Sequence, residues 1–143
     1  MTEAFEHRVN VRWRDTDALG HVNHAVFLTY LEEGRDAFYA GVLGSDPIYV
    51  VARIELDLHA EIRHDDRQVT VRVAVEHLGA TSLTTRETVL TGSGQVAARA
   101  RVVTVRWDAD RRRPIRFTQA ERERLAAARP GEDGGEVARP EPG

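Results

Sequence analysis

The chain reads as an α+β protein: a five-stranded antiparallel sheet wrapped around one long central helix, with a short C-terminal helix. Three observations predict this. One strand pattern precedes a single long apolar helix. Four consecutive strand patterns follow it, with no second long helix between them. A capping box then opens a short helix near the C-terminus.

Phe5, His7, Val9, Val11 and Trp13 alternate with Glu6, Arg8, Asn10, Arg12 and Arg14, the period-two pattern of a strand with a wet face. A polar loop follows. Asn23 suits the N-cap of the next helix, because its side chain can accept a bond from an early helical N–H. The helix is predicted to run to about Val42 or Leu43. Ala25 to Leu31 is apolar nearly all round except Thr29, so burial on most sides is expected. Phe38 and Val42 continue the inner stripe, with Glu32, Arg35 and Asp36 more polar. Gly34 costs roughly 1 kcal/mol against Ala, and close approach of another backbone is the expected compensation. Gly41 or Gly44 serves as C-cap.

After Asp46-Pro47, the apolar positions Val50, Ala52, Ile54, Leu56, Leu58, Ala60 and Ile62 recur with period two. A turn at 63–67 leads to Val69, Val71, Val73 and Val75, again alternating. Gly79 ends that run, and 81–91 is a Thr-rich strand. Gly92-Ser93-Gly94 makes a hairpin turn. Val96, Ala98, Ala100 and Val102 form the last strand, whose far end (Val103, Val105, Trp107) is apolar on the other face too. Asp108 to Arg113 reads as a charged turn. Thr118-Gln119-Ala120-Glu121 is the capping box, opening a helix through Ala128. The expected domain is 1–128. The tail 129–143, rich in Pro and Gly, is expected to be disordered.

Composition bounds the function. The 143 residues make one domain with room for a core, and 41% hydrophobic with 30% charged content suits a globular protein. A net charge of −3 supplies no basic field for nucleic acid, and there is no apolar run of membrane-span length. The N-terminal residues lack a signal peptide's basic and apolar regions, so a cytoplasmic protein is expected. With no Cys, disulfides, thiolate metal sites and a cysteine nucleophile are excluded together. All 20 Lys+Arg residues are Arg, which excludes Schiff-base lysine chemistry.

The chemistry concentrates in Asp15-Thr16-Asp17-Ala18-Leu19-Gly20-His21-Val22-Asn23-His24. A carboxylate held at a helix N-terminus can polarise a carbonyl's surroundings and activate water. Asp17 is either such a carboxylate or a loop and capping aspartate. Asp15 is read as structural, orienting the loop through backbone N–H groups. His24 either orients water, bonds a substrate oxygen or holds Asp17, or is a first-turn histidine satisfied by solvent or backbone. His21 is read as loop-shaping, with a chance of substrate contact. Asn23 is the N-cap and a candidate donor to substrate. A metal site from His21, His24 and Asp15 or Asp17, or from His59 and His64, fits no common zinc spacing. Arg53, Arg63, Arg99 and Arg101 are candidate phosphate contacts or simply a charged strand face.

The pattern Asp15-x-Asp17-x-x-Gly20-His21-Val22-Asn23-His24, leading into Tyr30-Leu31-Glu32-Glu33-x-Arg35, resembles the hotdog-fold acyl-CoA thioesterases, 4-hydroxybenzoyl-CoA thioesterase-like branch. Gly79-x-x-Ser82 and Arg113-Pro114 resemble the family more weakly. The resemblance covers roughly residues 5 to 128. It implies a hotdog fold and hydrolysis of an acyl-CoA thioester. It implies Asp17 as catalytic carboxylate, with His24 matching a histidine of one bacterial subgroup. Asn23, His21 and Val22 then fall at the substrate. The oxyanion would be met by backbone N–H groups around Val22 to Ala25. The family needs no metal or cofactor and forms dimers or dimers of dimers. One sheet of this size also leaves an exposed edge and a wide apolar face, so pairing with a second copy is expected independently.

Three other functions stay open from sequence: a carrier-protein thioesterase, a non-catalytic acyl-CoA binder, and a hotdog dehydratase. The dehydratases carry a different motif around a differently placed histidine. Val26, Phe27, Tyr30 and Leu56 are candidates for both acyl pocket and core.

Overall fold

A computed structural model describes residues 4–45 and 48–130. The order is β1 (Phe5–Asn10), α1 (His24–Leu43), β2 (Tyr49–Leu58), β3 (Gln68–Leu78), β4 (Ser82–Leu90), β5 (Val96–Asp108), β6 (Arg113–Pro114) and α2 (Gln119–Ala127). Single 3-10 turns at Trp13–Asp15 and His64–Asp66 flank the loops. The sheet runs β1-β3-β4-β5-β2, every neighbour antiparallel, with the two-residue β6 added beside β5. This is the expected hotdog arrangement. The charged turn near residue 110 is tighter than expected and returns as β6. The predicted tail lies, beyond Pro130, outside the described residues. Among them, no helix is long and apolar enough to cross a membrane.

The alternation of β3 becomes burial. Val69, Val71, Val73 and Val75 turn inward and meet α1 through Phe27, Leu31 and Phe38 in one core. Helix α1 packs on β1, β3 and β4. Gly34 permits this, but through a side chain and not a backbone: a Cβ there would land on Val71 Cγ1. The cap positions hold as expected. Asn23 Oδ1 accepts from Ala25 N at 2.9 Å, and Gly44, with φ +72°, closes the C-terminus. Arg124 of α2 donates to the Leu43 carbonyl at 2.7 Å, and the Thr118–Glu121 capping box forms as read.

Two expectations for α1 are corrected. Its first half is not buried on most sides: Ala25, Leu28 and Thr29 are exposed, because the sheet covers only one side of the helix. Arg35 is not on a wet face. It is 2% exposed and grips Glu87 of β4 through Nε–Oε2 (2.9 Å) and Nη2–Oε1 (3.0 Å), while Thr85 donates to Glu87 at 2.6 Å. Burial works against the Arg35 charge; the bonds and field of Glu87 outweigh that and leave its pKa raised.

Strand β2 departs from strict alternation. The register shifts between Val51 and Arg53, so Val51 pairs with the inward Thr104 while Ile54 and Leu58 pair with the inward Val102 and Ala98. Val51, Ile54 and Leu58 therefore share the core face, yet they are 43%, 37% and 51% exposed.

Candidate active site

Residues 15–24 form a small closed loop. Asn23 N–H donates to the Asp15 carbonyl (2.9 Å), Thr16 and Val22 bridge, and Asp17 N–H reaches the His21 carbonyl (2.9 Å). Gly20, at φ +80°, completes the turn by donating to the Asp17 carbonyl at 3.0 Å. Val22 N–H donates to Ile62 (2.7 Å), and His21 bridges Arg63, so the β2–β3 connection braces the loop. Trp13 meets His64 edge-on between the two 3-10 turns.

Asp17 lies at the loop's turn, its side chain 25% exposed. Oδ1 accepts from Leu19 N–H at 2.9 Å, and Oδ2 lies 3.4 Å from His21 Nδ1. The carboxylate is thus fixed at one oxygen and reachable at the other. His21, read from sequence mainly as a loop former, is the histidine beside Asp17. His24 starts α1 with its side chain exposed and without a hydrogen-bond partner among the described residues. Asp15 is buried and accepts Arg12 N–H (2.8 Å) and Tyr30 O–H (2.6 Å) at Oδ2. Burial first, and the Asp15 bond second, raise the Tyr30 pKa. Tyr30 and Phe27 belong to the core; Val26 and Leu56 pack partly against it.

The expected oxyanion donors narrow to one. Val22, Asn23 and Ala25 N–H groups are already bonded, to Ile62, Asp15 and the Asn23 side chain. Of the four, only His24 N–H has no acceptor among the described residues. It points along the positive end of a 20-residue helix.

Other predicted contacts disperse. Arg101 pairs with Glu76 (2.6 Å) and Arg53 with Glu55 (2.5 Å) on the outer face. Arg99 has no carboxylate partner among the described residues. No three His, Asp or Glu side chains converge as a metal site would require, again among the described residues. Two open, polar concavities lie at the β1 edge, one lined by Arg8, Asn10, Arg67 and Thr91, the other by His7, Arg12, Glu33 and Asp36; neither includes Asp17. Sequence reasoning missed Glu87, Arg12 and Ile62. Glu87 and Ile62 act through contacts distant in the chain, for which no local pattern exists; Arg12 joins a local bond to Asp15 to a distant one with Glu33.

Comparison places these features. A family model described as the thioesterase-like superfamily matches residues 11–125. A crystal structure of a thioesterase complexed with coenzyme A and Zn, from Thermus thermophilus, is 37% identical, covers 86% of this chain and 92% of its own, and superposes with a TM-score of 0.75. The structure of a predicted thioesterase from Bacillus stearothermophilus is 28% identical over 90% of this chain and 100% of its own (TM-score 0.80). A 1,4-dihydroxy-2-naphthoyl-CoA thioesterase from Synechocystis shares the fold, at 18% identity, 87% and 96% coverage and a TM-score of 0.73. A comparison with curated proteins found no match. Motif, sheet order and family model agree: the chain belongs to the thioesterase-like superfamily of hotdog-fold proteins, the 4-hydroxybenzoyl-CoA thioesterase-like group.

Proposed function

We propose that this protein hydrolyses an acyl-CoA thioester, with Asp17 as the catalytic carboxylate, in a site completed by a second copy of the chain. The observations that carry the reading are a reachable Asp17 carboxylate and, at the close of the same loop, a His24 N–H at the start of α1 with no acceptor among the described residues. The thioester carbonyl oxygen takes the His24 N–H, where the helix dipole stabilises developing negative charge. Asp17 then works by one of two routes. It attacks the carbonyl carbon, expelling the CoA thiolate and leaving a mixed anhydride that water cleaves. Alternatively it takes a proton from the water that attacks, and the tetrahedral intermediate collapses to acid and thiol. His21 faces the free side of Asp17. His24 and Asn23 stand at the helix end, whereas Val22, expected at the substrate, is buried in the core at 3% exposure with its N–H bonded to Ile62. The steps run through this chain's own residues; zinc is named for the Thermus thermophilus protein, and among the described residues no three His, Asp or Glu side chains converge.

Among the described residues, neither of the two concavities at the β1 edge includes Asp17. Leu19 and Leu28, in the Asp17 loop and the first turns of α1, are exposed, and so is the row Val51, Ile54 and Leu58 on the edge strand β2. A copy docked along β2 covers these residues and walls the site. Cytoplasmic location fits a CoA substrate and remains part of the proposal.

The test is thiol release from short, medium, long and aryl acyl-CoAs, with wild type beside Asp17→Asn. The expected result is turnover of some of them and a loss of about 10²–10⁴-fold in kcat in the variant. Wild type inert on every acyl-CoA but active on an acyl-carrier-protein thioester would move the substrate to the carrier protein. Tight acyl-CoA binding without turnover would make the chain a binder. Full activity in Asp17→Asn would displace Asp17.

A further inference from the structure

We propose that Asp15 and Tyr30 form the anchor that places Asp17, with Asp15 serving as a hydrogen-bond acceptor and not through its charge or proton. The inference rests on the reading of Asp17 as the catalytic carboxylate.

Two aspartates sit two positions apart and live in different surroundings. Asp17 is a quarter exposed. Asp15 is 7% exposed, with every polar contact directed at scaffold. Its Oδ2 takes Arg12 N–H at the end of the β1 segment and the hydroxyl of Tyr30 in the second turn of α1. Its backbone N–H donates to the Arg12 carbonyl at 3.0 Å, and its carbonyl takes Asn23 N–H at the helix cap. One residue therefore joins strand, loop base, helix cap and helix interior.

Residues 16–22 hang from the Asp15–Asn23 closure, and Asp17 is two positions inside it. Tyr30 is 0% exposed, so its ring cannot move without disturbing the core, and its hydroxyl is a fixed donor. Arg12 is held from the other side by Glu33, at 2.7 Å. A shift of about 1 Å in a catalytic group costs about 10²-fold in rate, so what holds the loop base holds the chemistry. Both bonds to Oδ2 need only lone pairs. An amide oxygen supplies two of them, and Asp15 Oδ1 is not among the buried atoms left unpaired. Asn at 15 can therefore keep the anchor, whereas Asn at 17 removes the reacting oxygen.

The experiment compares Asp15→Asn, Asp15→Ala, Tyr30→Phe and wild type by acyl-CoA thiol release and by amide hydrogen exchange at Asp17, Gly20, Val22 and Asn23. Tyr30→Phe keeps the ring that fills the core. It should lower kcat by about 10- to 100-fold, leave KM within about 2-fold and speed exchange at those amides. Asp15→Ala should do the same or more. Asp15→Asn should stay within about 3-fold of wild type in kcat, with its pH profile unmoved and exchange unchanged. Asp15→Asn as inactive as Asp17→Asn, with loop protection intact, would overturn the proposal by giving Asp15 a chemical role. So would Tyr30→Phe that changes neither kcat nor exchange. Loss of the Asp17 reading shows separately, as an inert wild type or an active Asp17→Asn, and exchange still decides whether the anchor exists.

Discussion

Strands β3 and β2 carry the same kind of sequence and meet different fates. Both alternate apolar and polar residues, and both turn an apolar row to the inner face. On β3 the row vanishes under α1, with Val73 at 1% exposure; on β2 the equivalent Val51 stays 43% exposed. The residues are not the cause. Helix α1 lies over β1, β3 and β4 and touches β2, at the end of the sheet, through Tyr49 at the strand's start, which stacks on Tyr39; Val51, Ile54 and Leu58 stay uncovered. Alternation reports which face a strand can bury, while the helix's position decides which strands are buried within one chain. The covered half is complete enough to hide an ion pair. The uncovered half leaves apolar rows showing, as a surface awaiting a partner does.

The covered half breaks most severely at its charges. Arg35 and Glu87 have side chains 2% and 0% exposed. Glu87→Ala leaves a guanidinium buried without its partner and should cost about 3–5 kcal/mol in urea unfolding. Replacing both, as Arg35→Met with Glu87→Leu, should recover most of that loss, because no uncompensated charge remains. A Glu87→Ala cost below about 1 kcal/mol would mean the pair is solvated and the half less sealed than described.

A smaller, paired change separates the halves directly. Val73→Ala deletes the same atoms as Val51→Ala. At 1% exposure the first should cost about 2 kcal/mol at any protein concentration. The second should cost less than about half of that in dilute protein and, on the proposed pairing of two copies along β2, rise toward it as concentration increases. Sedimentation should show Val51→Ala weakening self-association and Val73→Ala leaving it alone. Equal, concentration-independent costs would remove β2 from the interface.

What was legible in the sequence follows the same division. Element order, the Asn23 cap, the Gly44 end and the Thr118 capping box were readable because each is a local rule with its partners within a few residues. The motif 15–24 was readable as a candidate site because its residue types cluster. Its internal assignment was not: which histidine meets Asp17 depends on the turn at Gly20, and which N–H stays free depends on Ile62 from a different connection. Arg35 misled because a helical arginine beside Glu32, Glu33 and Asp36 looks wet, and its partner lies 52 residues away. The bulge in β2 was hidden because Val50 and Val51 are both apolar, so either register fits the pattern.

The smallest effect lies where the halves meet. Tyr39 of α1 is buried, its hydroxyl paired with Thr104 of β5 at 2.5 Å and its ring stacked on Tyr49 of β2 at 4.8 Å. Burial pushes the Tyr39 pKa from 10.0 up to about 12. Burial first, and a carboxylate partner second, raise Tyr30 and Tyr49 as well. A folded pKa above the unfolded one means the folded state holds its proton longer. The contribution is therefore whole below pH 10 and is lost as pH climbs toward 12. The chain has no lysine, so its three tyrosines dominate this window. Unfolding free energy should fall between pH 10 and 12, with tyrosinate absorbance appearing alongside unfolding and not before it. Tyr39→Phe should lower stability at neutral pH slightly, by losing the Thr104 bond, and make the alkaline fall shallower. An unchanged slope in that variant would mean Tyr39 already meets solvent, and would move the boundary of the covered half inward to β4.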